Sequence, residues 1–320
     1  VNYFDSLRFA KACWQELRGY DLLYERTCWM GYGSWFAARW LKIPLILEQN
    51  GDHLYELDVN GIAPKGFQRW ISVFITRRLL ISATQVIATG DGWRQNLIER
   101  WRVEPGKIVT VENGTGLVKF LDRSQLRSFR SGNNQDGFTT LVYLGGFLPW
   151  HGIEILIQAF ARVISKGLKA RLWLVGAGSG KKDAEKLVSD LGIENHVTFY
   201  GHLSPENYAP ILANADIGLS PYCGWPEYSG LKILDYKASG LATISSGKDG
   251  MPSTLKHGST GLIVPPCDVD ALKEAMMLLI NQPEWRISMG QKARVEAEVL
   301  HSWGQTSRRL SQIFTQHVSD

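Results

Sequence analysis

Short apolar runs alternate with longer stretches in which apolar residues recur every three or four positions through most of this chain. The short runs predict buried strands and the longer ones predict helices. In the front half strands are expected at 22–24, 44–47, 86–88 and 108–111, with helices around 34–41, 66–82 and 91–102. The back half alternates more cleanly. Strands are expected at 140–144, 171–175, 197–200, 217–220, 242–245 and 262–264. Helices are expected at 153–166, 182–191, 206–213, 229–239, 269–281 and 284–318, the last broken near Ser302. Strands alternating with helices of this length mean β-α-β units and parallel sheets. The fold class is therefore α/β, in two Rossmann-like lobes, with ligands outside the carboxyl ends of the strands.

The segment 121–137 has a second half rich in Ser, Gly, Asn and Gln and no strand alternation. It is expected to link a first lobe, 1–120, to a second, 138–300, with 301–320 a C-terminal helix that packs back on the first lobe. The front lobe holds four strand candidates against six behind, so it is expected to be incomplete, with one or two βα units missing before Val1.

Composition narrows the function classes. At 320 residues, 44% hydrophobic and 21% charged, the chain is an ordinary globular one, long enough for two cores. The net charge of +4 is too mild to require nucleic acid. Residues 1–120 carry 15 basic and 12 acidic side chains, whereas 138–320 carry 17 of each. No apolar run reaches the ~18 residues of a membrane span. Cys13, Cys28, Cys223 and Cys267 are far apart and form no Cys-x-x-Cys pair. Neither a zinc cluster nor a disulfide scaffold is expected, and the setting is read as reducing and cytoplasmic.

The segment 221–240, PYCGWPEYSGLKILDYKASG, carries the most chemistry. A strand ends near Ser220, a Gly/Pro loop follows, and Ser229 is placed to cap a helix that runs to Gly240. Glu227 then precedes the helix and Asp235 lies two turns inside it. Amides of Ser229, Gly230 and Leu231 form the positive end of that helix, and Lys232 adds a full charge, so phosphate oxygens and sugar hydroxyls both find partners. A cap residue and a solvated face would give the same spacing. Gly145 and Gly146 follow one strand; Gly176, Gly178 and Gly180 follow the next. Such turns admit a phosphate, but plain strand-to-helix connections use them too. Lys181 stands where a G-x-G-x-x-G would need its last glycine.

Glu227 and Asp235, with seven residues between them and Lys237-Ala238-Ser239-Gly240 after them, resemble the hallmark of the retaining glycosyltransferases of family four, which share the two-lobed GT-B fold. LVYLGGFLPWHGIEILIQAF, ARLWLVGAGSG, HVTFYGHLS, ADIGLSPY and HGSTGLIVP, with Asp268 beyond, follow the family's order. Residues 111–114 with Phe120 resemble its exit from the front lobe, and 22–50 the middle of its acceptor lobe. The resemblance is strong behind residue 138 and loose before residue 85. It implies lobes facing across a cleft and transfer of a sugar from a nucleoside diphosphate donor, with retention and no metal or other cofactor. Its acceptor would be a glycan or lipid-linked molecule, on the cytoplasmic side and with room for peripheral contact with the inner membrane face. It further implies that Glu227 meets the donor sugar, Asp235 the ribose, and Ser229, Gly230, Leu231, Gly145 and Gly146 the diphosphate. Gly176, Gly201 and His202 would border the nucleotide.

Three departures stand out. Asp235 replaces the usual Glu. Gly146 and His151 stand where many members carry Arg and Lys; a neutral His151 is expected either to donate one hydrogen bond to the diphosphate or to pack beside Trp150, with Lys232 carrying more of the charge. Asn50 occupies the place of a front-lobe His, with Asp52 and His53 close by as acceptor-side candidates or as members of a hydrogen-bonded turn. A catalytically weak nucleotide-sugar-binding partner subunit is the alternative these departures raise; a nicotinamide-dependent oxidoreductase lacks a complete fingerprint. Residues 65–84 hold Lys65, Arg69, Arg77 and Arg78 and no acid. Anionic lipid would suit them, but apolar residues nearly all round the helix favour packing within the lobe.

Overall fold

The computed structural model describes residues 3–121, 137–224, 230–248 and 252–318. The chain divides into two compact units, 1–112 with 306–320 and 113–305.

The first unit contains α1 (Tyr3–Glu16), β1 (Leu23–Arg26), α2 (Gly33–Leu41), β2 (Leu45–Gln49), α3 (His53–Val59), α4 (Gly66–Ser82), β3 (Gln85–Ala88), α5 (Asp91–Glu99) and β4 (Ile108–Thr110). Its four strands are parallel in the order β1-β2-β3-β4. β2 and β3 are buried along their whole length, which is why Leu45–Leu47 and Val86–Ala88 are unbroken apolar runs rather than alternating ones, with polar Glu48, Gln49 and Gln85 buried at the strand ends. α3 was not expected. Asp52 starts it by accepting a 3.0 Å hydrogen bond from the Tyr55 amide, so the Asn-Gly-Asp turn is a helix cap.

The second unit contains α6 (Leu117–Phe120), β5 (Thr139–Leu144), α7 (Ile153–Ile164), β6 (Ala170–Val175), α8 (Lys181–Asp190), β7 (Val197–Gly201), α9 (Pro205–Ala213) and β8 (Ile217–Ser220). It continues with α10 (Gly230–Ala238), β9 (Ala242–Ser246), β10 (Gly261–Val264), α11 (Val269–Asn281) and α12 (Pro283–Leu300). Its six parallel strands run β10-β9-β8-β5-β6-β7. The winding reverses between β5 and β8, the switch point outside which ligands of open α/β sheets bind. Apolar side chains cover both faces: Leu156, Phe160, Leu172, Ile244 and Met276 belong to one core cluster, Val142, Leu212, Tyr236 and Ala297 to another.

The last helix, α13 (Trp303–His317), is separated from α12 at His301 and Ser302. From Thr306 onward it belongs to the first unit. Ile313 lies in a cluster with Ile46, Ile87 and Val111, Phe314 packs on Tyr24 and His317 meets Gln85 at 2.7 Å. The first unit closes at Glu112 rather than at 120. Leu117 and Leu121 are buried in the second unit's core, which draws 113–121 into that unit. The expected linker 121–137 falls, but for its ends, outside the described residues.

Two expectations are corrected here. Cys223 and Cys267 form a disulfide, with Cα atoms 4.8 Å apart. Their 44-residue separation is no distance in a parallel sheet, because both follow carboxyl ends of strands, β8 and β10, that flank β9. α4 does not pack all round: its buried residues are Ser72, Leu79 and Leu80, while Phe67, Trp70 and Phe74 are exposed. Among the described residues no helix is long and apolar enough to cross a membrane.

Candidate active site

The β5–β8 switch point gathers most of the expected residues. After β5 the chain turns through Gly145 and Gly146; after β6 it turns through Gly176. Gly176 has φ +144, and a Cβ there would come within 1.8 Å of the Gly145 carbonyl oxygen, so only glycine lets the two turns lie against each other. The Gly176 amide donates to the Gly201 carbonyl at 2.8 Å, which adds the end of β7. Gly145, Gly146, Gly176, Ala177, His202, Leu203 and Tyr208 line a groove of about 230 Å³ over these strand ends.

α10 brings the charged groups to the same place. Tyr236 fixes the helix: its hydroxyl accepts from the Leu144 amide at 2.7 Å, donates to the Leu219 carbonyl at 2.9 Å, and its ring fills the space a side chain at Gly218 would need. One turn earlier, Lys232 is buried beneath Gly145. Its amine donates to the Tyr143 hydroxyl at 3.3 Å and lies 4.5 and 4.7 Å from the Tyr143 and Tyr222 ring centroids. Two ring faces stabilise a cation, but burial still pushes the Lys232 pKa down to about 7. The protein thus pays a desolvation cost below pH 7 that an anion placed over Gly145 would offset.

His151 takes a different part from a neutral hydrogen-bond donor to phosphate. Burial first, and the Lys232 charge second, push its pKa down to about 4. The ring is therefore neutral at pH 7. Its Nδ1 lies 2.6 Å from the Gly146 carbonyl oxygen, which assigns the single proton to Nδ1 and leaves Nε2 only a lone pair. The Tyr143 hydroxyl donates to the same carbonyl, also at 2.6 Å. His151 and Tyr143 together hold the Gly145–Gly146 turn.

Asp235 lies on α10 one turn beyond Lys232. Its carboxylate accepts from Thr115 at 2.7 Å and from Tyr208, a groove residue, at 3.0 Å. Burial holds its pKa above the ordinary carboxylate range, against the pull of these two hydroxyls. Each oxygen keeps a second lone pair for a ligand hydroxyl. Gly230 and Leu231 open α10, where helix amides lack intrahelical partners. Glu227 and Ser229 lie outside the described residues.

Asn50 and His53 belong to the first unit, where both are tied to the end of β1. Asn50 donates to Glu48 at 2.8 Å and accepts from Arg26 at 3.2 Å. His53 meets the Thr27 carbonyl through Nε2 at 3.0 Å and faces Glu56 through Nδ1 at 3.6 Å. The Glu56 carboxylate raises the His53 pKa above its ordinary value. Asp52 is buried and bonded to Tyr55, Asn96 and Trp101, so it serves the fold. Sequence reasoning missed Tyr143, Tyr222, Tyr208 and Thr115. Thr115 and Asp235 are 120 positions apart, and no spacing rule pairs them.

Comparison with known proteins identifies the family and the fold. Residues 124–296 match the family described as glycosyl transferases group 1, and residues 4–114 match a glycosyl transferase 4-like domain. A D-inositol 3-phosphate glycosyltransferase of Corynebacterium kroppenstedtii is 27% identical over 310 residues, covering 92% of this chain and 67% of that protein. A GDP-mannose-dependent monoacylated alpha-(1-6)-phosphatidylinositol monomannoside mannosyltransferase of Corynebacterium glutamicum is 33% identical over 171 residues, 52% of this chain and 44% of that protein. Among solved structures, a sucrose-phosphate synthase from Thermosynechococcus elongatus superimposes with a TM-score of 0.80 at 24% identity, over 98% of this chain and 78% of that one. Anabaena HepE in complex with UDP-glucose gives 0.77 at 18% identity, over 96% and 82%. With its two parallel-sheet units, its glycine turns at the switch point and a family match over more than half its length, the chain belongs to the group 1 glycosyl transferases.

Proposed function

We propose that this protein transfers a sugar from a nucleoside diphosphate donor to a glycan or lipid-linked acceptor, with retention at the anomeric carbon. The observation that carries the reading is the buried Lys232 amine beneath the Gly145–Gly146 turn, with no carboxylate among its described hydrogen-bond and ion-pair partners. A buried cation without a counter-ion is costly unless an anion arrives. A departing diphosphate supplies that anion.

In this reading the diphosphate lies over Gly145, against Lys232 and the Gly230 and Leu231 amides that open α10, with Ser229 assigned to it from the sequence alone. Asp235, positioned by Thr115 and Tyr208, accepts from the ribose, and the groove bordered by Gly176, Gly201 and His202 takes the nucleotide. Glu227 holds the donor sugar. The transition state is oxocarbenium-like, as in glycoside hydrolysis, and charge grows on the leaving phosphate where preorganised donors already point. The charge is met by Lys232 and helix amides, so no metal is assigned a step. Asn50 and His53 are placed on the acceptor side, with His151 shaping the phosphate turn.

A thermal-shift screen of UDP-, GDP- and ADP-sugars tests donor binding. The matching donor, at ~100 times its dissociation constant, should stabilise the protein by about 2.7 kcal/mol. Glu227→Ala should lower turnover at least ~10-fold. Binding of a donor with neither transfer nor slow hydrolysis would favour a sugar-nucleotide-binding partner subunit. The His151 ring, which has no proton to give a phosphate, is the observation that keeps that second reading in view.

A further inference from the structure

α10 carries a second buried lysine that the sugar-transfer reading does not use. Lys237, one helical turn and a half beyond Lys232, has no exposed surface. Its amine donates to the Glu296 carboxylate of α12 at 2.7 Å, to the Thr254 carbonyl at 2.8 Å and to His301 Nε2 at 3.2 Å. Glu296 also pairs with the exposed Lys256. Stability alone does not explain such a group. Withdrawing an ammonium from water is costly, and well-packed apolar residues often serve the fold as well as a buried ion pair does.

The partners of Lys237 lead to both ends of the proposed donor site. His301 is buried at the break between α12 and α13, and its carbonyl accepts from the Thr115 amide at 2.8 Å. The Thr115 hydroxyl accepts from the Leu117 amide at 3.1 Å and donates to Asp235 at 2.7 Å, so its proton is aimed at the carboxylate. Lys237 thus reaches Asp235 through His301 and Thr115. In the other direction, Thr254 lies against the opening of α10: its methyl group is 4.0 Å from where a Cβ on Gly230 would stand. The carbonyl of this same Thr254 is the one that Lys237 holds. All of these residues belong to the second unit.

We propose that Lys237 is a positioning residue for the nucleotide donor, fixing Thr115 on Asp235 at the ribose end and Thr254 against Gly230 at the diphosphate end. The proposal rests on the sugar-nucleotide reading of the site. Lys237 touches neither donor nor acceptor; it holds in place the groups that do. Three hydrogen bonds from one amine fix the two segments in direction as well as distance, which an apolar side chain would not do.

The test is calorimetric titration of the full chain with UDP, GDP and ADP, with melting temperatures measured alongside. For the nucleotide that the wild type binds, Lys237→Met should weaken binding about 10-fold, the scale of one lost hydrogen bond. Lys237→Met/Glu296→Gln, which leaves neither charge of the pair behind, should lose as much affinity while melting near the wild-type temperature. Thr115→Val should also weaken binding about 10-fold. Lys237→Met/Thr115→Val should fall clearly short of the ~100-fold product, because both residues act on Asp235 along one path. Lys237 variants that bind as tightly as wild type would overturn the proposal, as would a Lys237→Met/Thr115→Val loss at the full ~100-fold. Failure of the wild type to bind any of the three nucleotides would instead remove the donor reading itself, and this proposal with it.

Discussion

Lys232→Ala is expected to lower kcat/KM for the sugar nucleotide about 100-fold, the usual loss when one preorganised donor to a developing oxyanion is removed. Its pH dependence is diagnostic. The ammonium of the free enzyme titrates near pH 7, and kcat/KM reports the free enzyme. Wild-type kcat/KM should therefore fall as pH rises through 7, and Lys232→Met should lose that limb. Above pH 7 the amine must gain its proton when the diphosphate arrives. Calorimetry at pH 8 in buffers of different ionisation enthalpy should show proton uptake in the wild type and none in the variant. Equal uptake in both would remove Lys232 from the phosphate site. Stability gives a further check with a definite sign. The folded-state pKa lies below the unfolded one, so the unfolded chain binds the extra proton between about pH 7 and 10.5, and wild-type stability rises across that window. Lys232→Met should be the more stable protein at pH 6, and its advantage should shrink as pH rises above 7.

Reduction of the Cys223–Cys267 bond should produce the largest loss of stability in the second unit. Closing a loop of 44 residues removes enough unfolded-state entropy to contribute about 3–4 kcal/mol. Cys223→Ser, Cys267→Ser and the double variant should lose the same amount in denaturant unfolding, since each removes the same bond. A denatured, unreduced sample that titrates as four free thiols would refute the pairing. Donor affinity should fall as well. Tyr222, whose ring faces Lys232 and packs against His151 at 5.3 Å, adjoins Cys223, and the Cys223 amide donates to the Trp150 carbonyl at 3.0 Å. Freeing Cys223 loosens the strand end that places Tyr222. The bond also bears on compartment, since reducing cytosol seldom preserves disulfides; the 44-residue separation of the two cysteines along the chain concealed it.

Much of the architecture could be read from the residue pattern. Every expected strand is present: those buried on both faces, such as β3, β5 and β8, must carry continuous apolar runs, and that signature is local, while the partly exposed β1 and β7 keep enough apolar residues to show. The glycines at 145 and 176 and the positions of Lys232 and Asp235 were legible for the same reason, since each follows directly from a strand end or helix start. α3 escaped notice because a seven-residue helix, half-exposed and opened by Asn-Gly-Asp, carries the composition of a turn.

What no local pattern could supply is which distant groups meet. The proton on His151, the cage of Tyr143 and Tyr222 around Lys232, the Thr115 and Tyr208 hydroxyls on Asp235 and the Cys223–Cys267 bond all depend on contacts made across the second sheet. The same holds for α4, whose residues were legible as apolar and basic but whose aromatic face is left uncovered by the packing of Leu79 and Leu80 on the opposite side. Periodicity is written along the chain and survives in one dimension. Protonation states, partners and exposed faces are set by neighbours that the chain brings together only when it folds.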